Sequence, residues 1–335
     1  MPETVSSKTA DRKWPSLILL AIACMCVLSL WFTATAALPG YVAAQTIAPW
    51  QEALLSSSVQ AGFVVGSLVS AFLGLPDRIE PRRFFAVAAL TGATANALFL
   101  AVDITSTAAI LCRFITGAIM AGIYPVGMKI AVSWADRDAG LLVGLLVAAF
   151  TLGTAAPYLF GYAGDLNPTI VLGTASAAAV AGAGLIFLVR VGPDYRSSGH
   201  FQPLAAFRAW REPAVRRANY GYFGHMWELY AFWAWVGLFT LESFTASGLA
   251  EPARLATLTA FLAISVGTLG ALLGGLAADR IGRTALTSLM LLGSGACCLL
   301  SPLLFGLAPW IMIVLALVWG IAVIGDSAQF STAVA

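Results

Sequence analysis

The chain has 335 residues, of which 60% are hydrophobic and only 10% charged, and its mean hydropathy is +0.88. A water-soluble domain carries roughly 25% charged residues, so the lipid bilayer, not water, is the solvent that this composition fits. A net charge of +2 and no basic cluster interleaved with aromatics argue against nucleic acid as a partner. Five cysteines in apolar stretches and two histidines, His200 and His225, argue against a zinc site or a disulfide framework, and no cofactor is expected.

Residues 1–16 are polar and carry Lys8, Arg12 and Lys13; an apolar run of 22 residues follows, Leu17–Leu38. That run is longer than the roughly 7–15 residues of a signal-peptide core, and it opens a series, so it reads as a retained first helix. A spanning helix needs about 20 apolar residues. Ten segments qualify: 17–38, 55–75, 84–102, 107–131, 140–161, 169–189, 218–243, 255–277, 285–306 and 309–330. Strands are not expected, because open sheet edges are not tolerated in lipid. With the N-terminus inside, sixteen of the eighteen basic residues fall in inner loops, the pattern of a cytoplasmic N-terminus.

In chain order, the second segment ends in LGLPDRIEPRR, with Asp77, Arg78 and Arg82. The fourth carries Arg113 and Gly117; the fifth carries Gly140, Gly144, Gly153, Pro157 and Gly161. The longest loop, 190–217, sets Leu204, Phe207, Trp210 and Val215 among arginines, as in a segment lying on the inner membrane surface. The seventh segment reads YGYFGHMWELYAFWAW from Tyr220 to Trp235. The eighth ends in GLAADRIGRT, which repeats the Asp-Arg-Ile of the second, and Asp326 lies near the end of the tenth.

A charge at a helix centre costs about 2.5–3.5 kcal/mol, so Arg113, Glu228 and Asp326 are candidates for function. His225 and Glu228 are three residues apart and share a helical face. Glu228 reads as the proton-coupling residue with His225 modulating it, or else the two are a structural pair. Trp227, Tyr230, Trp233 and Trp235 could line a cavity, although several must face lipid. Arg113 reads as an anion contact, a link to Glu228, or a structural pair. Asp326 reads as a transport residue or as a surface or gate residue. Glycines at four-residue spacing (Gly140 and Gly144, Gly270 and Gly274) read as sites of close helix approach.

GLAADRIGR closely resembles the loop signature of the major facilitator superfamily, with Gly275, Asp279, Arg280, Gly282 and Arg283 at its positions. The first-half copy has Leu73 and Glu80 where that signature has glycines. Arg113 to Gly117 is similar to the family's pattern in the fourth helix, and the helix 5 glycines with Pro157 resemble the motif of antiporter-type members. The resemblance implies an all-α polytopic membrane protein of two six-helix bundles, here cut short at about ten helices. Residues 1–189 would form the first bundle, 190–217 a cytoplasmic loop, and 218–335 four helices of the second. It also implies that the loop motifs latch an inner gate. The expected function is secondary transport of a small solute by alternating access in the inner membrane, proton-coupled, as a monomer embedded in lipid, and not an enzyme. Anion uptake and efflux of an apolar compound both stay open, as does a transporter-like sensor or scaffold without net flux. Helices 4, 5, 7 and 10 look most like a nitrate/nitrite-transporter-like bacterial branch, but nitrate is not assigned.

Overall fold

The computed structural model describes residues 3–136, 138–195, 210–327 and 329–330, with side chains from residue 12 onward apart from those of 275, 276 and 279. Regular structure among these residues is helical. The helices are α1 (Glu3–Leu28), α2 (Thr33–Ala44), α3 (Pro49–Leu73), α4 (Leu75–Arg78), α5 (Pro81–Leu98), α6 (Thr107–Ile119), α7 (Tyr124–Val132), α8 (Ala139–Ala163), α9 (Pro168–Leu185), α10 (Pro213–Ala246), α11 (Pro252–Ile281), α12 (Arg283–Leu304) and α13 (Pro309–Gly325). Six of them open on proline, whose fixed φ and missing N–H suit the first helical position. Ser106 and Asn167 cap α6 and α9 by accepting from the backbone N–H of Ala109 and Thr169.

Among the described residues, eight helical stretches, taking α1 with α2 and α6 with α7, are long and apolar enough to cross a membrane. The other two predicted spans are α10, of 34 residues, whose His225, Glu228 and tyrosines dilute its apolarity, and the apolar α13, of 17 residues. Outward-facing Leu292, Leu299 and Leu303 of α12 are more than 70% exposed, as side chains solvated by lipid are.

Two predicted spans are not continuous. The first breaks at residues 29–32 between α1 and α2 and then runs on to Ala44. The fourth tightens into a 3₁₀ turn, Met120–Gly122, before Pro125 in the first turn of α7, where proline takes away one helical donor. Apolar periodicity could not show either break.

The Asp-Arg-Ile repeat has a counterpart in packing. In the first half α3 crosses α6, and in the second α11 crosses α13. Both crossings are made by backbone against glycine: Gly117 on Val59, and Gly62 on Phe114, in the first; Gly320 on Ala263, and Gly274 on Gly325, in the second. The expectation for Gly270 and Gly274 therefore holds in contacts. The glycines of helix 5 differ from one another in their contacts. Gly153 is tight, since a β-carbon there would lie 2.7 Å from the Met25 carbonyl oxygen, and Gly161 is in ordinary contact with Thr257 of α11. Among the described residues, Gly140 and Gly144 have nothing within 4 Å of a β-carbon. Their spacing marks no helix contact, because α1 and α11 reach α8 at other positions.

The halves meet along α8 and α11. Arg254 at the start of α11 sits 5.1 Å over the Tyr162 ring of α8, and the Tyr158 hydroxyl donates to the Trp233 carbonyl over 3.3 Å. Leu204 and Phe207 of the central loop lie outside the described residues; Trp210 stacks on Phe223 of α10, with ring centroids 5.8 Å apart.

Candidate solute and proton site

The break in the first span exists around Arg113. Its guanidinium, 1% exposed, donates to the carbonyls of Trp31 (2.6 Å) and Leu30 (3.1 Å), the Thr33 hydroxyl (2.8 Å) and Asn96 Oδ1 (3.0 Å). Leu30 and Trp31 lie where the helical ladder is interrupted, so their carbonyls are free to accept from a side chain. The Asn96 amide in turn donates to the Leu172 carbonyl and to Ser176, both at 3.0 Å, tying α5 and α9 into the same network. Arg113 has no carboxylate partner among the described residues, so neither the link to Glu228 nor an ion pair holds it. Carbonyl, amide and hydroxyl dipoles solvate the charge in place of an acid. Asn96, a buried amide in an otherwise apolar span, was the sequence signal that could have located this network.

His225 and Asp326 come together, and His225 and Glu228 do not. His225 Nδ1 lies 3.0 Å from Asp326 Oδ1, off the line of an aligned hydrogen bond, and its Nε2 lies 2.7 Å from the Ser327 hydroxyl. Both members of the pair are at most 1% exposed, so Asp326 is not a residue reaching for the surface. Tyr222 stacks on the imidazole at 6.2 Å and 17°, and Phe330 packs beside it at 5.3 Å. Three residues of helix turn the side chain by about 300°, which leaves His225 facing α13 while Glu228 faces α12. There Glu228 accepts a hydrogen bond from Ser294. It borders a groove of about 390 Å³ between α10, α12 and α13 that Trp227 also lines. Trp227 is 83% exposed, and Trp235 is on the same outer side.

Tyr230 and Trp233 turn the other way, to the contact between the halves. Tyr230 stacks on Trp31 with centroids 5.9 Å apart and 6° between planes, and Trp233 stands edge-on to Phe32 at 6.2 Å. The indole N–H groups of Trp31 and Trp233 are buried without acceptors among the described residues. Beside this cluster, toward the end of the molecule opposite residues 190–195, a cavity of about 320 Å³ opens between the halves. Tyr158 and Gly237 line it together with two carboxylates, Glu52 of α3 and Glu242 of α10. No spacing rule links residues so far apart in the chain, and sequence reasoning passed over both.

At the opposite end, Asp77 pairs with Lys129, whose ammonium also sits 5.0 Å from the Tyr195 ring. Arg82 pairs with Glu80 within its own loop at 2.7 Å. Burial alone would raise the Glu80 carboxyl, but bonds from Arg82 and from the Arg83 backbone outweigh it and hold it below the ordinary range. Arg78, Arg280 and Arg283 are exposed, and Gly282 adopts the left-handed φ of +88° that the turn after α11 requires. The side chains of Gly275 and Asp279 lie outside the described residues. Lys13 reaches Asp138 at 2.7 Å and holds its carboxyl below the usual carboxylate range. A depressed pKa means that this contact is kept at neutral pH and lost only as pH falls through the lowered value. Lys13→Gln should shift the Asp138 titration, followed by carboxyl NMR, upward but short of the ordinary carboxylate value, because the Asp136 backbone N–H still donates to it.

No curated protein matches the chain. Among solved structures, the nucleoside transporter NupG is similar with a TM-score of 0.73 at 14% identity, over 95% of this chain and 82% of that one. A bacterial homolog of the human lysosomal transporter Spinster, inward-facing and occupied, gives 0.67 at 15% identity, over 94% and 73%. The E. coli fucose:proton symporter FucP gives 0.64 at 14%, over 96% and 88%. At such identities these likenesses show a shared fold. The sequence itself matches the Major Facilitator Superfamily over residues 12–334. With its multi-pass helical architecture, its glycine-mediated crossings repeated in each half and this family match, the chain belongs to the major facilitator superfamily of membrane transporters.

Proposed function

We propose that the protein moves a small solute across the inner membrane by alternating access, driven by protons, with the His225–Asp326 pair as the proton-carrying element. The observation that carries this reading is an ionisable pair buried to within 1% between α10 and α13. Ionisable groups at membrane depth are costly and mark ion and proton paths. With the imidazole neutral and Asp326 ionised, the pair holds one net negative charge; one added proton makes it a neutral ion pair, or a neutral acid beside a neutral imidazole. A proton is therefore taken up when the site opens to one face and released when it opens to the other. The groups facing the pair are Tyr222 and Ser327, with Glu228 one turn further along α10 on its own face. Arg113 stays charged in proteins, so it serves as the fixed polar anchor of the α1–α2 break and not as a carrier. The aromatic contact of Trp31 with Tyr230 is the seal that parts as the halves rock, and the pairs of Asp77 and Asp138 close the cytoplasmic end where the N-terminus lies.

The test uses the full chain in proteoliposomes with an internal pH dye and a panel of anions, sugars, amino acids and hydrophobic cations. Asp326→Asn should abolish solute-driven proton movement while solute counterflow, which needs no net proton transfer, persists. Glu228→Gln should retain both. If Glu228→Gln abolishes the pH change and Asp326→Asn does not, coupling resides on the α12 face of α10 instead.

A further inference from the structure

The ring stack between the halves has the features of a slot for a flat molecule. Trp31 belongs to the first half and Tyr230 to the second, and their planes differ by only 6°. Phe63 walls the Trp31 side edge-on at 5.1 Å, and Trp233 walls the Tyr230 side edge-on at 6.4 Å. A small parting of the halves would let a planar ring enter and stack on both faces at once, replacing one stacked contact with two. Trp31 and Trp233 are 5% and 8% exposed, and neither indole N–H has an acceptor among the described residues. An indole nitrogen can only donate, and a buried donor left unpaired is costly. A solute in the slot is therefore favoured if it brings acceptors on its ring edge.

Charge then narrows the class from two sides. Behind the slot, Arg113 grips the Trp31 carbonyl and has no acid partner among the described residues, so its field opposes a cation that bare ring faces would otherwise attract. In front of it, Glu52 and Glu242 line the approach cavity from the two halves, and an anion meets their combined repulsion. An uncharged solute meets neither barrier. We propose that the Trp31–Tyr230 slot, with the indole N–H groups of Trp31 and Trp233, binds a neutral, planar heteroaromatic solute through stacking and ring-edge acceptors. This names the substrate class for the transport reading above and rests on it.

Binding to the purified full chain tests it without requiring flux. Tritiated uracil and adenine are the probes, with benzoate as the anionic competitor and N-methylpyridinium as the cationic one. Saturable binding of at least one base is expected, with either competitor weaker by about tenfold or more, the worth of roughly one hydrogen bond. Trp31→Phe and Trp233→Phe keep a ring but lose the donor, and each should weaken binding about tenfold, whereas Trp227→Phe, on the outer side of α10, should leave it unchanged. Each variant is scored only if it elutes as the wild type does, so one folded donor variant suffices. No saturable binding of either base, displacement by benzoate or N-methylpyridinium as effective as by the bases, or wild-type affinity in the folded donor variants would overturn the assignment. Base binding that gives no flux in proteoliposomes would instead overturn transport, and flux of a non-planar solute without base binding would overturn the slot alone.

Discussion

Arg113→Leu should lower the stability of the protein by about 2–4 kcal/mol, because one buried carbonyl is left without a donor, at about 1–3 kcal/mol, and two further acceptors are left sharing a single hydroxyl. The Trp31 carbonyl loses its side-chain donor at the point where the helical ladder is already broken, and the Leu30 carbonyl keeps only the bond from the Thr33 hydroxyl. Asn96 Oδ1 keeps only the bond from Thr33. Two effects oppose each other. Removing a buried guanidinium relieves its desolvation, about 2.5–3.5 kcal/mol on the insertion scale. In the folded protein that cost has already been offset by four hydrogen bonds from the guanidinium, and these are charge-assisted, at about 1.5–3 kcal/mol each. The bonds win on these magnitudes. Arg113→Lys should recover only part of the loss, because a compact ammonium cannot fork across acceptors on both sides of the break. Thermal unfolding in a fixed detergent measures it. A leucine variant as stable as the wild type would mean that desolvation dominates and that the α1–α2 break needs no anchor. Hydrogen exchange at residues 31–35 would then show whether the first span has rewound into one helix.

The second large effect is expected where helices touch through glycine. Gly117→Ala should destabilise the first half by about 1–3 kcal/mol, the usual range for overpacking, because its β-carbon would overlap the Val59 carbonyl. A carbonyl in a helix cannot turn aside as the end of a flexible side chain can, so α3 and α6 must separate. Gly320→Ala, which meets the Ala263 carbonyl at the equivalent crossing of α11 and α13, should behave alike. Gly144→Ala is the internal contrast. It meets nothing within 4 Å, and replacing a mid-helix glycine gives back about 0.5–1 kcal/mol of backbone entropy. Opposite signs at two glycines of neighbouring spans are the outcome to look for in paired melting curves. Equal effects at Gly117 and Gly144 would remove the basis for reading the crossings as contacts of backbone with backbone.

Which glycines matter was legible only in part. The Asp-Arg-Ile repeat marked equivalent places after the second helix of each half, and the same two helices turn out to make equivalent crossings. Spacing alone singled out Gly140 and Gly144 as readily as Gly270 and Gly274, since a four-residue interval places glycines on one face without saying what stands opposite. The partners came from distant segments: Val59 for Gly117, Met25 for Gly153 and Gly325 for Gly274.

The charged residues divide in the same way. The cost of charge in lipid picked out Arg113, Glu228 and Asp326 from the sequence, because each must be compensated somewhere, and spacing from Glu228 added His225. Their partners were less accessible. His225 and Glu228 lie within one turn of each other, yet α13 takes the first and α12 the second. The loop motif placed Asp77 just after the second span, but did not give Lys129 as its partner. Glu52 and Glu242, 190 positions apart, share a cavity only because α3 and α10 flank the opening between the halves.

The amino-acid sequence by itself determined the solvent, the helical character, the approximate bounds of the spans, the duplicated halves and the short roster of costly charges. Each of these follows from local quantities: the apolarity of about 20 consecutive residues, the placement of proline, and the energy of a charge in hydrocarbon. Tertiary structure alone decided which charge answers which, where the first span breaks, which glycines carry a crossing, and that Trp31 and Tyr230 face each other across the halves. Those outcomes depend on how helices are rotated and set against one another. That rotation is chosen by the whole packed assembly, where carbonyls, amides and rings from distant segments must satisfy one another in the absence of water.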